Sequence, residues 1–464
     1  MLWTWPRHFS PRVPPQSEAA GFSVAAILLV YGIADSSSGR LHAGENGSSI
    51  WRMIRKRAAA VLAIAAAVLV TYVGAQQPEV SRVNPETIGV SSARLNEATD
   101  LLNRYVTEQR IAGAVAAVAR HGRVGYLQAV GFQDLETRAP MTERSLFRIY
   151  SMTKSVTSVA AMMLYEEHRF TLDDPVARYI PEFSKVVVSD PSGAAPRPPA
   201  RPITVRDLLL HTSGLNHRTS EIYRREQVRA RTMTMDQFIG NLVRVPLMED
   251  PGTRYRYSES TTVVGRLVEI WSGKPFEVFL EERIFCPLRM TDTMFWAATP
   301  NQRDRLATVY GPGTDKPLVR VETETVPFTE RPTLVEGAVG LLSTVPDYLR
   351  LAQMLLNKGE LDGVRLLETK TVETMTANGL SEAVQRARGG SMGWGLANVN
   401  VLLTSSPNAA HVGEYGWDGT AGTIFWVDPV SETVTVLFTQ SSPANPDQIR
   451  QRFKAIVDQA IVNR

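Results

Sequence analysis

Ser151 and Lys154 stand three residues apart in the stretch Phe147-Arg148-Ile149-Tyr150-Ser151-Met152-Thr153-Lys154-Ser155-Val156-Thr157-Ser158-Val159-Ala160. On a helix, residues at that spacing are neighbours, so the ammonium of one reaches the hydroxyl of the other. A free serine hydroxyl is a poor nucleophile. It needs an adjacent base, or a cation that keeps a base deprotonated. Met152, Val156, Val159 and Met163 recur at helical spacing and predict a helix with one buried face. Ser151 falls at its start, where serine is a favoured cap. There the helix also offers backbone N–H groups and a positive potential to a reacting centre. Taken alone, Ser-x-x-Lys is a common coincidence, a capping serine followed by a solvated lysine. Two later stretches give it weight.

The first is Pro251-Gly252-Thr253-Arg254-Tyr255-Arg256-Tyr257-Ser258. A Pro-Gly turn leads into a short extended segment that presents Tyr257 from a loop. Beside a lysine, a phenol can be held nearer its anion and act as a base. The commoner fate of a tyrosine is the core or the rim, which is the reading for Tyr255. The second is Gly416-Trp417-Asp418-Gly419-Thr420-Ala421-Gly422-Thr423 running on to Asp428-Pro429. Small residues leading into a strand let its edge approach a substrate closely. The Thr420 N–H would then complete an oxyanion hole with the N–H of Ser151. The plain alternative is a glycine-rich loop before an edge strand.

The elements that must position these groups follow from periodicity. Residues 92–109 read as an amphipathic helix, and 114–120 and 124–130 as strands of a hairpin turning at His121-Gly122. Helical patterns follow at 204–210, 235–243, 261–271, 346–357 and 369–377. A second hairpin spans 423–427 and 433–438, and 448–462 reads as a closing helix. Strands near both ends with helix between predict an α+β fold: one antiparallel sheet flanked by helices, with a helical subdomain inserted at about 150–335 and the groove between them.

Together these motifs resemble the serine β-lactamase-like hydrolases: class C β-lactamases, DD-peptidases and family VIII carboxylesterases. The resemblance runs over roughly residues 90–460. It rests on Ser151-Met152-Thr153-Lys154, Tyr257-Ser258 and Trp417-Asp418-Gly419, with Leu210-His211-Thr212-Ser213-Gly214-Leu215, Gly340-Leu341-Leu342-Ser343-Thr344 and Pro287-Leu288-Arg289-Met290-Thr291-Asp292-Thr293 as scaffold motifs. It implies the β-lactamase/penicillin-binding-protein-like fold. There are two departures. The family's Tyr-x-Asn reads Tyr257-Ser258-Glu259, so the amide that helps hold substrate and lysine is absent. The family's Lys-Thr-Gly or His-x-Gly reads Trp417-Asp418-Gly419, so the cation that holds a substrate carboxylate is absent too. Tryptophan there resembles the esterase branch, and Asp418, if it faces the groove, repels a carboxylate further.

Competing chemistries are weaker. Gly389-Gly390-Ser391-Met392-Gly393 matches a nucleophile elbow, which needs a buried strand before it and a helix after it. Residues 381–388 make no buried strand, residues 394–403 alternate like a strand, and no acid lies between Ser391 and His411. Ser391 is expected in a loop, without a part in the chemistry. Of the seven histidines only His211 and His217 lie near one another, and no His-Glu-x-x-His occurs, so neither a metal nor another cofactor is called for. The single cysteine, Cys286, excludes an internal disulfide and is expected as a small core residue.

The 464 residues are 44% hydrophobic and 21% charged, enough for one large domain or two smaller ones. The net charge of +3 is concentrated in residues 1–57, which carry an excess of four positive charges. The rest nets −1, which leaves no nucleic-acid footprint. Met53-Ile54-Arg55-Lys56-Arg57, an apolar run from Ala58 to Val70 and small residues to Ala75 read as a signal peptide over 53–75. Residues 1–52 are expected to be a mis-assigned or disordered extension, 76–90 a linker and 91–464 the hydrolase domain. The expectation is a periplasmic or secreted enzyme that touches a membrane only through an uncleaved signal segment. It would take a small ester through an acyl-serine, with Ser151 as nucleophile and Lys154 and Tyr257 sharing the proton work, the primary base left open. Thr420, Trp417, Gly419, Asp418 and Glu259 are the candidate oxyanion and substrate-binding positions. The alternatives are a β-lactamase or DD-peptidase, and a non-catalytic cell-wall ligand-binding homologue.

Overall fold

The computed structural model describes residues 80–190, 192–404 and 411–462. The expected extension and signal segment lie outside the described residues. Strands β1 (Gly113–Arg120), β2 (Arg123–Asp134) and β3 (Ala139–Pro140) come early in the chain. Strands β4 (Met392–Gly395), β5 (Val399–Leu402), β6 (Tyr415–Asp418), β7 (Ile424–Asp428) and β8 (Thr433–Thr439) come late. They form one antiparallel sheet in the order β4-β5-β6-β7-β8-β1-β2-β3. The two expected hairpins are therefore both present. They meet where β1 pairs with β8, with Ala114 opposite Thr439 and Arg120 opposite Thr433.

All eight residues of β1 are buried because both faces of the sheet are covered. Successive side chains point to opposite faces. Ala114, Ala116 and Val118 pack with Leu95, Leu102, Phe453 and Val457 of helices α1 (Ser92–Thr107) and α6 (Ile449–Ala460). Val115, Ala117 and Ala119 face the other way, into the core that contains Tyr348 and Leu351 of α5 (Val345–Leu356). Alanines at both sets of positions let helices lie close against the strand. Truncating a fully buried anchor such as Leu102 to alanine costs about 2–5 kcal/mol in such a core.

The chain leaves the sheet after β3 and rejoins it at β4; in between, Phe147-Arg148 and Leu342-Ser343 form a separate two-stranded ladder. These two segments pair with each other and close the base of a largely helical excursion. It contains α2 (Thr153–Glu166), α3 (Val205–Leu209) and α4 (Ser260–Ser272). The α3 start carries a full capping box, Thr204 with Asp207, which fixes where His211 emerges four residues beyond Asp207.

Several expectations need correction. Residues 80–90 are not a free linker. Val83 N–H donates to Val124 O, Val90 bridges to Ile461, and Ile88 and Val90 are buried. Residues 394–403 are not one alternating strand but two short strands with a turn between them. Cys286 is exposed, not core. A π-turn over Glu281–Phe285 rotates Ile284 and Phe285 inward, leaving the Cys286 thiol outside as a donor to Glu281 Oε1.

Candidate active site

Ser151 sits on a 3-10 turn, Tyr150–Met152, that runs directly into α2. It makes no capping hydrogen bond, contrary to expectation, so its hydroxyl is not committed to backbone. The turn is held from several sides. Tyr348 Oη donates to Met152 O at 2.9 Å, Leu341 N–H donates to Thr153 Oγ1 at 3.1 Å, and Ile149 N–H donates to Leu341 O at 3.1 Å. Tyr150, immediately before the serine, has φ 42°, a conformation that non-glycine residues rarely adopt and that clusters at functional sites. Its ring packs edge-on against Phe328 and its hydroxyl donates to Thr323.

Lys154 is the second residue of α2 and is almost wholly enclosed, at 1% exposure. Its Nζ donates to Ser151 Oγ at 3.3 Å and to the Ala338 carbonyl at 2.9 Å, and stands 4.6 Å from the Tyr257 ring centroid. Burial dominates its titration and pulls its pKa from the ordinary 10.5 to about 7, against the opposing attraction of Glu259. An amine half-deprotonated near neutral pH, in contact with a serine hydroxyl, is a competent proton acceptor.

Tyr257 is presented by the loop before α4. Four rings surround it: His211 at 4.7 Å, Trp417 at 5.2 Å, His217 at 5.5 Å and Trp394 at 6.1 Å. Its hydroxyl accepts from Trp417 Nε1 at 3.1 Å. Burial pushes its pKa well up, and the hydrogen-bond partners Ser151 and Trp417 only moderate this. The expectation of a phenol held near its anion is therefore overturned. The Lys154 ammonium lies over the ring face, where it does not neutralise a phenolate oxygen. His211 and His217 are both driven down by burial, His217 to about 4, so both are neutral at pH 7.

Trp417 is the last residue but one of β6, and Gly419 opens the turn into β7. A β-carbon on Gly419 would lie 2.3 Å from Thr423 Oγ1 and 2.4 Å from Ile149 O, so only glycine lets this turn press against the segment that carries Ser151. Gly419 N–H is used inside the turn, donating to Thr423 O. Thr420, next along, is exposed and lines the same groove as Ser151. That groove has a volume of about 1150 Å³ and runs from Tyr150 and Val339 out to Arg224 and Arg244.

Two candidate positions lie elsewhere. Asp418 points to the opposite face of β6, where it pairs with Arg450 of α6. Strand alternation puts it behind Trp417, so it does not line the groove. Glu259 lies beneath the site at 1% exposure and accepts from Arg218 at 2.8 and 3.1 Å. Ser391 is exposed in the bend just before edge strand β4, as expected outside regular structure, after a helix (Glu382–Ala387) and a glycine turn. Helix-turn-strand is the reverse of a nucleophile elbow.

Some of the site was not read from the sequence. In the sequence His211 belongs to a scaffold motif, and Trp394, Arg218, Arg450 and the Ala338 carbonyl stand in no chemical motif. Spacing along a chain does not report on approaches between residues such as Lys154 and Ala338, which only the closed fold creates.

The beta-lactamase family profile matches residues 98–459. Protein Rv1367c of Mycobacterium tuberculosis is 33% identical over 349 residues, covering 72% of this chain and 86% of that protein. Esterase EstB of Burkholderia gladioli is 29% identical over 394 residues, covering 78% of this chain and 94% of EstB. The solved structure of EstCE1, described as a hydrolase with promiscuous acyltransferase activity, superposes with a TM-score of 0.69 at 25% identity, covering 80% of this chain and 99% of that one. With this sheet, this helical excursion and these relatives, the chain belongs to the beta-lactamase family of serine hydrolases, on the side of its esterase branch.

Proposed function

We propose that this protein is an exported serine esterase that works through an acyl-enzyme at Ser151. The observation that carries the reading is the enclosed Ser151–Lys154 contact, an amine poised near neutrality 3.3 Å from a hydroxyl. Neutral Lys154 takes the Ser151 proton as Oγ attacks the ester carbonyl carbon. The oxyanion is received by the N–H groups of Ser151 and Thr420. As the tetrahedral intermediate collapses, the proton passes from Lys154 by way of the Tyr257 hydroxyl to the departing alcohol oxygen. Water then attacks the acyl carbon and gives its proton by the same route in reverse to Lys154; the second tetrahedral intermediate collapses, the bond from the acyl carbon to Ser151 Oγ breaks, Lys154 returns the proton to Oγ, and the acid leaves. Lys154 is thus the base and Tyr257, held as a phenol, the relay. kcat/KM rises as pH passes about 7, where Lys154 gives up its proton. The basic, apolar and small-residue run over 53–75 supports export to the periplasm or beyond.

The preference for neutral esters rests on position 417. Trp417 brings an apolar face and one N–H, and that N–H is already given to Tyr257. Arg218 and Arg229 are bound by glutamates, and Arg450 by Asp418 and two carbonyls. Trp417 itself supplies no cation for a substrate carboxylate buried against it. Arg224 and Arg244 on the outer groove wall favour the rival reading, a β-lactamase or DD-peptidase, since an extended anionic substrate would reach them. The test is kcat/KM on one preparation for p-nitrophenyl butyrate, a chromogenic cephalosporin and a D-Ala-D-Ala peptide. The ester should be fastest by at least an order of magnitude. A cephalosporin or peptide rate equal to the ester rate favours the rival, and no turnover of any, with retained ligand binding, favours a non-catalytic homologue.

A further inference from the structure

The departure at Glu259 left the site without the amide that the resemblance calls for, and the structure puts a buried ion network there. Arg218 donates to both oxygens of Glu259, at 2.8 and 3.1 Å, and reaches Glu336 Oε2 at 3.4 Å. Arg229 takes the rest of Glu336 and pairs with Glu324 at 2.9 Å. The side chains of all five are at most 14% exposed. Their chain positions matter. Glu259 is two residues past Tyr257, Arg218 adjoins His217, whose ring stacks on Tyr257, and Glu336 is two residues before Ala338, whose carbonyl accepts from Lys154.

We propose that Arg218 is a positioning residue of the site, a fork that ties the segment presenting Tyr257 to the segment presenting the Ala338 carbonyl and so fixes both on Lys154. The inference rests on the Ser151 hydrolase reading and extends it to a residue that touches no reacting atom.

The arrangement has an electrostatic consequence whose sign distinguishes it from mere support. Lys154 faces Ser151 on its own turn, and Tyr257, His211 and His217 from the opposite wall; all are uncharged at neutral pH. The charged groups that act on it are Glu259 first, then Arg218, Glu336 and Asp418. Asp418 is spoken for by Arg450 on the far face of the sheet. Glu259 and Glu336 favour the ammonium, and Arg218 offsets them. Removing Arg218 should therefore hold the proton on Lys154 to higher pH, and neutralising Glu259 should release it at lower pH. Loss of packing alone has no such opposed signs.

The experiment measures kcat/KM from pH 5.5 to 9 with p-nitrophenyl butyrate, on protein shown to be folded by circular dichroism. The variants are Arg218→Gln, Arg218→Lys, Glu259→Gln and Arg218→Gln with Glu259→Gln. The acid limb should move up by about one pH unit in Arg218→Gln and down in Glu259→Gln, and the double variant should lie between them. Arg218→Lys should keep the limb in place but lower kcat, because an ammonium does not span two carboxylates. Coincident limbs in all variants overturn the proposal. Should Arg218→Gln not fold, Glu259→Gln and Arg218→Lys decide it. Activity that survives Ser151→Ala, or an inactive wild-type protein, refutes the hydrolase reading instead. In that event the ε-carbon resonance of Lys154 in 13C-lysine-labelled protein, titrated across the same variants, still reports whether the signs are opposed.

Discussion

Replacing Lys154 with methionine should abolish hydrolysis and yet stabilise the fold, by an amount that depends on pH. The side chain is 1% exposed and its pKa falls from 10.5 to about 7, with burial as the main cause. At about 1.4 kcal/mol per pH unit, that gap corresponds to about 5 kcal/mol of disfavour toward the buried ammonium. Below pH 7 the lysine is protonated in both the folded and unfolded chain, and the native state carries the whole penalty. Between pH 7 and 10.5 the unfolded chain holds a proton that the folded chain has lost. Stability of the wild-type protein therefore rises with pH across that window. By pH 9 the residual penalty is about 2 kcal/mol. Methionine matches the stem but leaves the Ala338 carbonyl without its donor, which costs about 1–3 kcal/mol. The variant should be more stable by about 2–4 kcal/mol at pH 6 and near parity at pH 9. Urea unfolding of both proteins at pH 6, 7.5 and 9 measures this directly. A stability difference that does not shrink as pH rises would refute the reasoning, because it would mean that Lys154 keeps an ordinary lysine pKa.

Ser151→Ala should lower kcat by several orders of magnitude while Ser391→Ala leaves it within twofold, read by p-nitrophenyl ester hydrolysis of folded protein. Lys154→Ala and Tyr257→Phe should each cost nearly as much activity as the two together, since they move one proton; additive losses would separate their roles. Arg450→Met should lower kcat about tenfold or more with KM little changed, because Arg450 holds the Gly419 and Thr423 carbonyls that shape the oxyanion turn. An equal loss of binding would instead assign Arg450 to the substrate.

The parts of the fold that carry periodicity were readable from the chain. The strand-like runs 114–120 and 433–438, and the 3.6-residue stripe of Met152, Val156, Val159 and Met163, are local signals of burial, and those residues are buried. Ser151, Lys154 and Tyr257 were readable because a reactive type stood at a meaningful spacing or in a presented turn. The rest was set by tertiary closure. Tyr257 was expected near its anion because its neighbour is a lysine, but the neighbour's position over the ring and the loss of water decide the opposite. Glu259 shows in the sequence only as the absence of an amide, because its partner, Arg218, lies forty-one residues upstream in a segment without regular pattern. The apolar neighbours of Cys286 point to the core, and one π-turn is enough to reverse that.

The pairing of β1 with β8 has a consequence for how the chain is made. Ala114 finds Thr439 only after nearly all the intervening polypeptide exists. Contacts of such sequence separation carry a high loop-closure entropy and form slowly. On the ribosome, β1 and β2 would wait as a hairpin with one apolar edge open, the kind of edge that pairs with foreign strands. A message truncated before codon 433 would leave that edge permanently bare even though Ser151, Lys154, Tyr257 and Trp417 were all translated. Such a product should aggregate rather than persist as a weakened enzyme, so the last strand acts as a completeness check on the whole polypeptide.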